Sequence, residues 1–216
     1  MRKIADRCFQ LDHSKGANGY VVVGDGHAAV IDPGLAGGAR AVALELHGGE
    51  TMTGPVTDIV LTHYDPDHAG AAAALARELG VPVWVSAADA RILRGDDAPP
   101  TGLRRFLGML MKPKLPGELR ELEGAAEIFP GLAVVPAPGH TPGHLAFQWG
   151  PVLFVGDAVR VSDDGTLREF FGPLISDRAV AASTQVALDE RISAEGIEWI
   201  CAGHDAPVRV TRAAVA

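Results

Sequence analysis

The stretch Ile59-Val60-Leu61-Thr62-His63-Tyr64-Asp65-Pro66-Asp67-His68-Ala69-Gly70 constrains this chain more than any other. Its first three residues form an apolar run, the pattern of a buried strand. Four potential metal ligands, His63, Asp65, Asp67 and His68, follow within six positions, ahead of an Ala-rich segment of helical character. A strand–loop–helix junction holds the backbone at both ends, which is the support a metal site needs. The ligand types alternate with Tyr64 and Pro66, so along extended backbone their side chains diverge and one loop can serve two neighbouring ions.

Composition bounds the alternatives. With 216 residues, 47% of them apolar and 21% charged, the chain has enough length for one sizeable core, and a single domain over 1–216 is expected. A formal net charge of −8 argues against a nucleic-acid-binding face. The one basic cluster is Arg104, Arg105, Lys112 and Lys114, whose ordinary role is a solvated face. No apolar run approaches the length of a membrane span, and the N-terminus lacks the pattern of a secretory signal. Two cysteines, Cys8 and Cys201, give no disulfide framework and fit a reducing cytoplasm. Cys201 follows Trp199-Ile200 and reads as a buried strand residue.

Taken in order, residues 4–11 read as a strand and Gly16-Ala17-Asn18-Gly19 as a flexible turn. Strands at 20–23 and 27–31 flank Gly24-Asp25-Gly26, a hairpin signal. A helix at 39–47 is expected to stop at Gly48-Gly49, and another spans 69–79. Residues 86–123, with Pro99-Pro100, Pro113 and Pro116 around an apolar-basic stretch, look like a helical insertion. Phe106, Met109 and Met111 within it are candidates for an apolar substrate wall, and Arg104 and Arg105 for holding an anionic small molecule. A second hairpin, 145–149 and 152–155, precedes a helix at 177–194 and a strand at 197–201. The segments Tyr20–Asp32 and Leu145–Asp157 share one layout: strand, turn, strand, Asp, then helix and a strand ending in His. That repeat suggests two sheets face to face with helices outside and ligands gathered along a shared edge.

His63, Asp65, Asp67, His68, His140, Asp157 and His204 all lie at or just after strand ends. Imidazole and carboxylate suit zinc, iron or manganese. Seven such groups exceed what a single structural zinc needs, so two divalent ions are expected, zinc first among them. A pair of cations on one water makes hydroxide at neutral pH, which is the chemistry of metal-assisted hydrolysis. Asp32, before Pro33-Gly34, either shapes a turn or steadies a metal-bound His, and His144 either supports its turn or backs the site.

The segments Thr62-His63-x-Asp65-x-Asp67-His68-x-Gly70, Pro138-Gly139-His140-Thr141-Pro142-Gly143-His144, Gly156-Asp157 and Gly203-His204, with Asp32-Pro33-Gly34, resemble the successive motifs of the metallo-β-lactamase superfamily. The resemblance implies an α+β fold, a four-layer αβ/βα sandwich with a dinuclear site at its edge. It would place His63, Asp65 and His140 on one ion, Asp67, His68 and His204 on the other, and Asp157 between them. Asp67 would also orient the attacking water, and Thr62, Asp32 and His144 would support the ligands. The family's usual motif has His where this chain has Asp65. The carboxylate is similar to that of the iron-binding flavodiiron branch, and it leads to the expectation that the first site favours iron or manganese or is weakly occupied.

Three functions follow. The first is hydrolysis of a small ester, thioester or lactone in the manner of glyoxalase II-like members, to which the Pro-Gly-His-Thr-Pro-Gly-His segment is similar. The second is an iron-dependent redox enzyme, flavodiiron-like or persulfide dioxygenase-like, motivated by Asp65. The third is a phosphodiesterase or nuclease-type member, which would need the basic cluster as a substrate channel. The first is preferred, with a small-molecule substrate and neither nucleic acid nor membrane as partner.

Overall fold

The computed structural model describes residues 1–210. Its first half builds a seven-stranded sheet whose spatial order follows the chain: β1 (Arg2–Ala5), β2 (Cys8–Gln10), β3 (Tyr20–Val23), β4 (Ala28–Ile31), β5 (Asp58–Val60), β6 (Val83–Ser86) and β7 (Leu119–Leu122). The first four strands pair antiparallel, β1 with β2 and β3 with β4 through tight turns and β2 with β3 across the loop 11–19. From β4 onward each pairing is parallel, because a helix intervenes. The helices are α1 (Ala39–Thr53), α2 (Pro66–Ala69), α3 (Ala72–Leu79), α4 (Ala87–Arg94) and α5 (Gly102–Met111).

The second half repeats the plan. After β8 (Ala126–Glu127) and β9 (Leu132–Pro136), the hairpin β10 (Leu145–Trp149) and β11 (Val152–Gly156) leads to a two-stranded ribbon, β12 (Arg160–Val161) and β13 (Leu167–Arg168). Helix α6 (Arg178–Ala194) then returns the chain to β14 (Trp199–Ala202), parallel to β11, and β15 (Val208–Arg209) closes the edge. The sheet order is β15-β14-β11-β10-β9-β8.

Three apolar clusters define four layers. Val42, Leu46 and Leu75 pack helices against one face of the first sheet. Tyr20, Ile31, Phe147, Phe154 and Cys201 fill the space between the sheets. Leu188 and Ile192 of α6 cover the outer face of the second. Fully buried residues such as Phe147 and Phe154 each contribute about 1.5–3 kcal/mol. Strands buried on both faces carry continuous apolar runs rather than alternation, as in Ala28–Ile31.

Four sequence expectations are corrected. The first strand is a hairpin of two, turning at Arg7 with φ 50°. Helix α1 runs through Gly48-Gly49 and stops at Gly54, whose φ of 65° ends it. The second helix divides at Gly70, where an added Cβ would stand 2.3 Å from the Pro66 carbonyl oxygen, and the Ala71 N–H turns to Gly34 O at 2.7 Å. Residues 86–123 are not all peripheral: α4 buries Asp89, Ala90, Ile92 and Leu93, and β7 pairs along its length with β6. Only α5 and its flanking loops lie outside this framework.

Candidate metal centre

The site forms where strand ends of both halves meet. Leu145 N–H donates to Thr62 O at 2.8 Å, joining the two sheets at this edge. The segment Gly16–Gly19, expected as a flexible turn, is a strut: Asn18 donates through its backbone to Gly203 O at 2.7 Å and through Nδ2 to Ala202 O and Asp205 O. It thereby steadies the loop carrying His204. Glycine is required at two approaches. A Cβ on Gly203 would lie 2.3 Å from Asp157 Oδ1 and 2.6 Å from His68 Cε1, and Gly156 has φ 51° with Thr62 Oγ1 2.7 Å from its Cβ position.

Six of the seven expected ligands converge in two groups. His63, His140 and Asp157 form one, and Asp67, His68 and His204 the other, the donor atoms within each group lying within 4.8 Å of one another. Asp157 stands between them: Oδ1 is 3.4 Å from His68 Nε2, and Oδ2 is 3.3 Å from His204 Nε2 and 3.7 Å from His140 Nε2. The first group is fully buried, whereas Asp67 and His204 open to solvent.

The imidazoles are oriented from behind. Asp32, held at φ 50°, accepts the Thr62 N–H and hydroxyl at 2.8 and 2.6 Å and faces His68 Nδ1 at 2.8 Å. Because the Thr62 proton goes to Asp32, its oxygen is left to accept from His63 Nδ1 at 2.9 Å. Both rings therefore turn Nε2 to the site, the arrangement by which an outer hydrogen bond selects a ligating tautomer. His144 Nε2 accepts the Asp157 N–H at 3.1 Å, and its ring stacks on His63.

Buried His63 Nε2, His68 Nε2 and Asp157 Oδ1 make no hydrogen bond within the protein. Buried polar atoms are rarely left so, and three that converge fit a bound cation. Charges agree. Burial favours neutral His68, yet Asp157 and Asp32 outweigh it and hold the imidazolium well above its ordinary range. Hydrogen bonds to Asp157 and Asp67 push His204 up to about 9. Burial would raise Asp157, but His68 and His204 keep it well below the usual carboxylate range. Burial pushes His140 down to about 4. The second group offers three donors, the number an open metal site uses.

Asp65 behaves differently. Its oxygens lie 3.4 Å from His63 Nε2 and 3.2 Å from His140 Nε2, but both are taken by Arg104, from Nε at 2.8 and 3.1 Å and from Nη2 at 2.8 Å. Arg104 is not a solvated or substrate-facing cation: it is 3% exposed and turned inward. Arg105 remains on the surface, donating to Pro99 O. Phe106 and Met111 stand exposed on α5. Met109, also largely exposed, borders a cavity of about 330 Å³ beneath α5 that reaches Tyr64 and Asp65 but none of the imidazoles.

Two further residues belong to the site and carry no motif. Asp89, fully buried, accepts Thr141 Oγ1 at 2.7 Å, the Gly143 N–H at 2.9 Å and the Tyr64 N–H at 3.3 Å, tying both ligand loops together. The only signal for it was Ser86-x-x-Asp89, where Ser86 caps α4. Phe170 packs edge-on against His140, centroids 4.7 Å apart, and beside His204 at 5.9 Å, giving an apolar wall.

A sandwich of this topology with His and Asp at its strand ends defines a class, and the sequence comparison agrees. The description "Metallo-beta-lactamase superfamily" matches residues 15–204, and the chain belongs to that superfamily. A hydroxyacylglutathione hydrolase of Halorhodospira halophila is 30% identical over 177 residues, covering 80% of this chain and 59% of that protein. The chain spans about half the length of several curated relatives it matches. Among solved structures, the BLEG-1 B3 metallo-beta-lactamase superposes with TM-score 0.70 at 22% identity, covering 94% of this chain and 93% of that one, and so speaks for the fold. TTHA1623 in a di-iron-bound form superposes with TM-score 0.67 at 28% identity, covering 93% and 92%. No helix among the described residues is long and apolar enough to cross a membrane.

Proposed function

We propose that this metallo-hydrolase cleaves a small ester or thioester, with hydroxyacyl thioesters of the kind named in its relatives as first candidates. The convergence of unpartnered His68 Nε2 and Asp157 Oδ1 beside Asp67 and His204 carries this reading. Asp67, His68 and His204, with Asp157 beside them, would hold a divalent ion; zinc suits the donors, and iron or manganese are the alternatives. When bound, the ion supplies an activated water and polarises the acyl oxygen. Asp32 keeps the His68 Nδ1 proton and so aims Nε2 inward. Asp67, at the solvent mouth and 3.2 Å from His204 Nε2, would orient the attacking water. Phe170, edge-on to His140 and beside His204, would shield one side of the acyl group from water.

The geometry favours this over the other two functions. The redox reading leaned on Asp65 as an iron ligand, and Asp65 is engaged by Arg104. The nuclease reading needed a basic channel, and Arg104 is withdrawn from it. Cytoplasmic residence accords with reduced, buried Cys8 and Cys201. A panel of glutathione thioesters, simple esters, lactones and phosphodiesters, run with and without chelator, tests the proposal. Thioester or ester turnover that disappears with chelator and returns with zinc is expected. Turnover confined to phosphodiesters, or indifferent to metal, would contradict it.

A further inference from the structure

We propose that Arg104 stands in place of one of the two ions, so that this chain holds a single metal, at Asp67, His68 and His204. The inference rests on the metal-binding reading above. A guanidinium has five N–H donors in a rigid fork, and here each has an acceptor. Nε donates to Asp65 Oδ1, and Nη2 to Asp65 Oδ2 and to His140 Nε2 at 2.8 Å. Nη1 reaches Leu174 O and Ser176 Oγ. The cation is thus fully satisfied where the first ion would sit.

The competition is for lone pairs. A metal–imidazole bond of about 2.0–2.1 Å needs the lone pair that His140 Nε2 turns to Arg104. A carboxylate bonded bidentate to a buried arginine is likewise committed. With Asp65 and His140 engaged, His63 and Asp157 remain for the first site. Two protein donors fall short of the three that an open metal site uses. The second group keeps all three of its own and has Asp157 Oδ1 unpartnered 3.4 Å from His68 Nε2. The same pairing gives Asp65 a role at the position where the motif it resembles has His: a neutral imidazole would leave the buried guanidinium without its counter-charge.

Metal content decides the matter. Wild-type protein saturated with zinc, desalted and analysed by plasma mass spectrometry is expected to hold one ion per chain, with no metal–metal vector near ~3.5–4 Å in X-ray absorption. The double variant Asp65→His with Arg104→Leu removes the cation without stranding a buried carboxylate. It is expected to hold two ions and to gain that vector. Two ions in wild type overturn the inference, as does a folded double variant that still holds one. If the double variant does not fold, the wild-type count decides alone. No ion in wild type overturns this inference and the hydrolase reading together, whereas two ions overturn only the former.

Discussion

At the scale of single residues, the chemistry of this site is set by what stands behind each ligand. Asp32 spends an unfavourable backbone conformation to serve Thr62 and His68 at once, and strain of that kind persists where surroundings over-determine it. Asp89 acts at one remove, as a knot between the loops. Burial pushes its carboxyl up to about 6, against the pull of Thr141 and Gly143. A carboxyl whose folded pKa exceeds its unfolded value of about 4 favours the folded state when protonated. That contribution is complete below about pH 4 and is lost as pH rises through about 6. Asp89→Asn, which never ionises, should therefore gain on wild type between pH 5 and 7.5, by about 1–2 kcal/mol, roughly half of the full effect of the shift. Urea midpoints at the two pH values measure it, and a gap that does not change with pH would refute the assignment. The candidate ligands His63, His68, His140, Asp157 and His204 were legible because each follows a strand end in a recurring pattern. Asp89, Asn18 and Phe170 were not, because their roles come from contacts between segments distant in sequence, which spacing does not record.

At the scale of elements, patterns held where burial is one-sided and failed where glycine or function intervened. Helix α6 begins where the sequence placed it, within one residue, and Asp177 caps it by accepting the Ala179 and Val180 N–H groups. Helix α1 overruns Gly48-Gly49 because Gly48 costs only propensity, whereas Gly54 adopts a conformation that other residues resist. Gly48→Ala, with open space at its Cβ, should stabilise the protein by about 0.5–1 kcal/mol, and Gly54→Ala should destabilise it by a similar amount. Opposite shifts in melting temperature are the expected result; a loss in both would mean that α1 ends where the sequence suggested. Helix α5 inverts the usual rule. Its one buried residue is Arg104, while Phe106, Met109, Leu110 and Met111 face outward. No periodicity rule forecasts an inward arginine, since the partner that draws it in, Asp65, lies 39 positions away.

At the scale of the whole molecule, two similar halves place their strand ends along one edge, and the site belongs to neither alone. The repeat of hairpin, helix and parallel strand was legible, and with it the four layers, because continuous apolar runs and matching spacings survive in one sequence. The extent of the framework was not: β7 looked peripheral, its exposed Arg120 and Glu121 masking an edge strand. The central claim is that both halves hold one ion, and zinc titration of chelator-stripped protein by calorimetry tests it most directly. Wild type should bind tightly, while His68→Ala from the first half and His204→Ala from the second should each weaken binding at least tenfold with the fold intact by circular dichroism. Unchanged affinity in either variant would contradict the account.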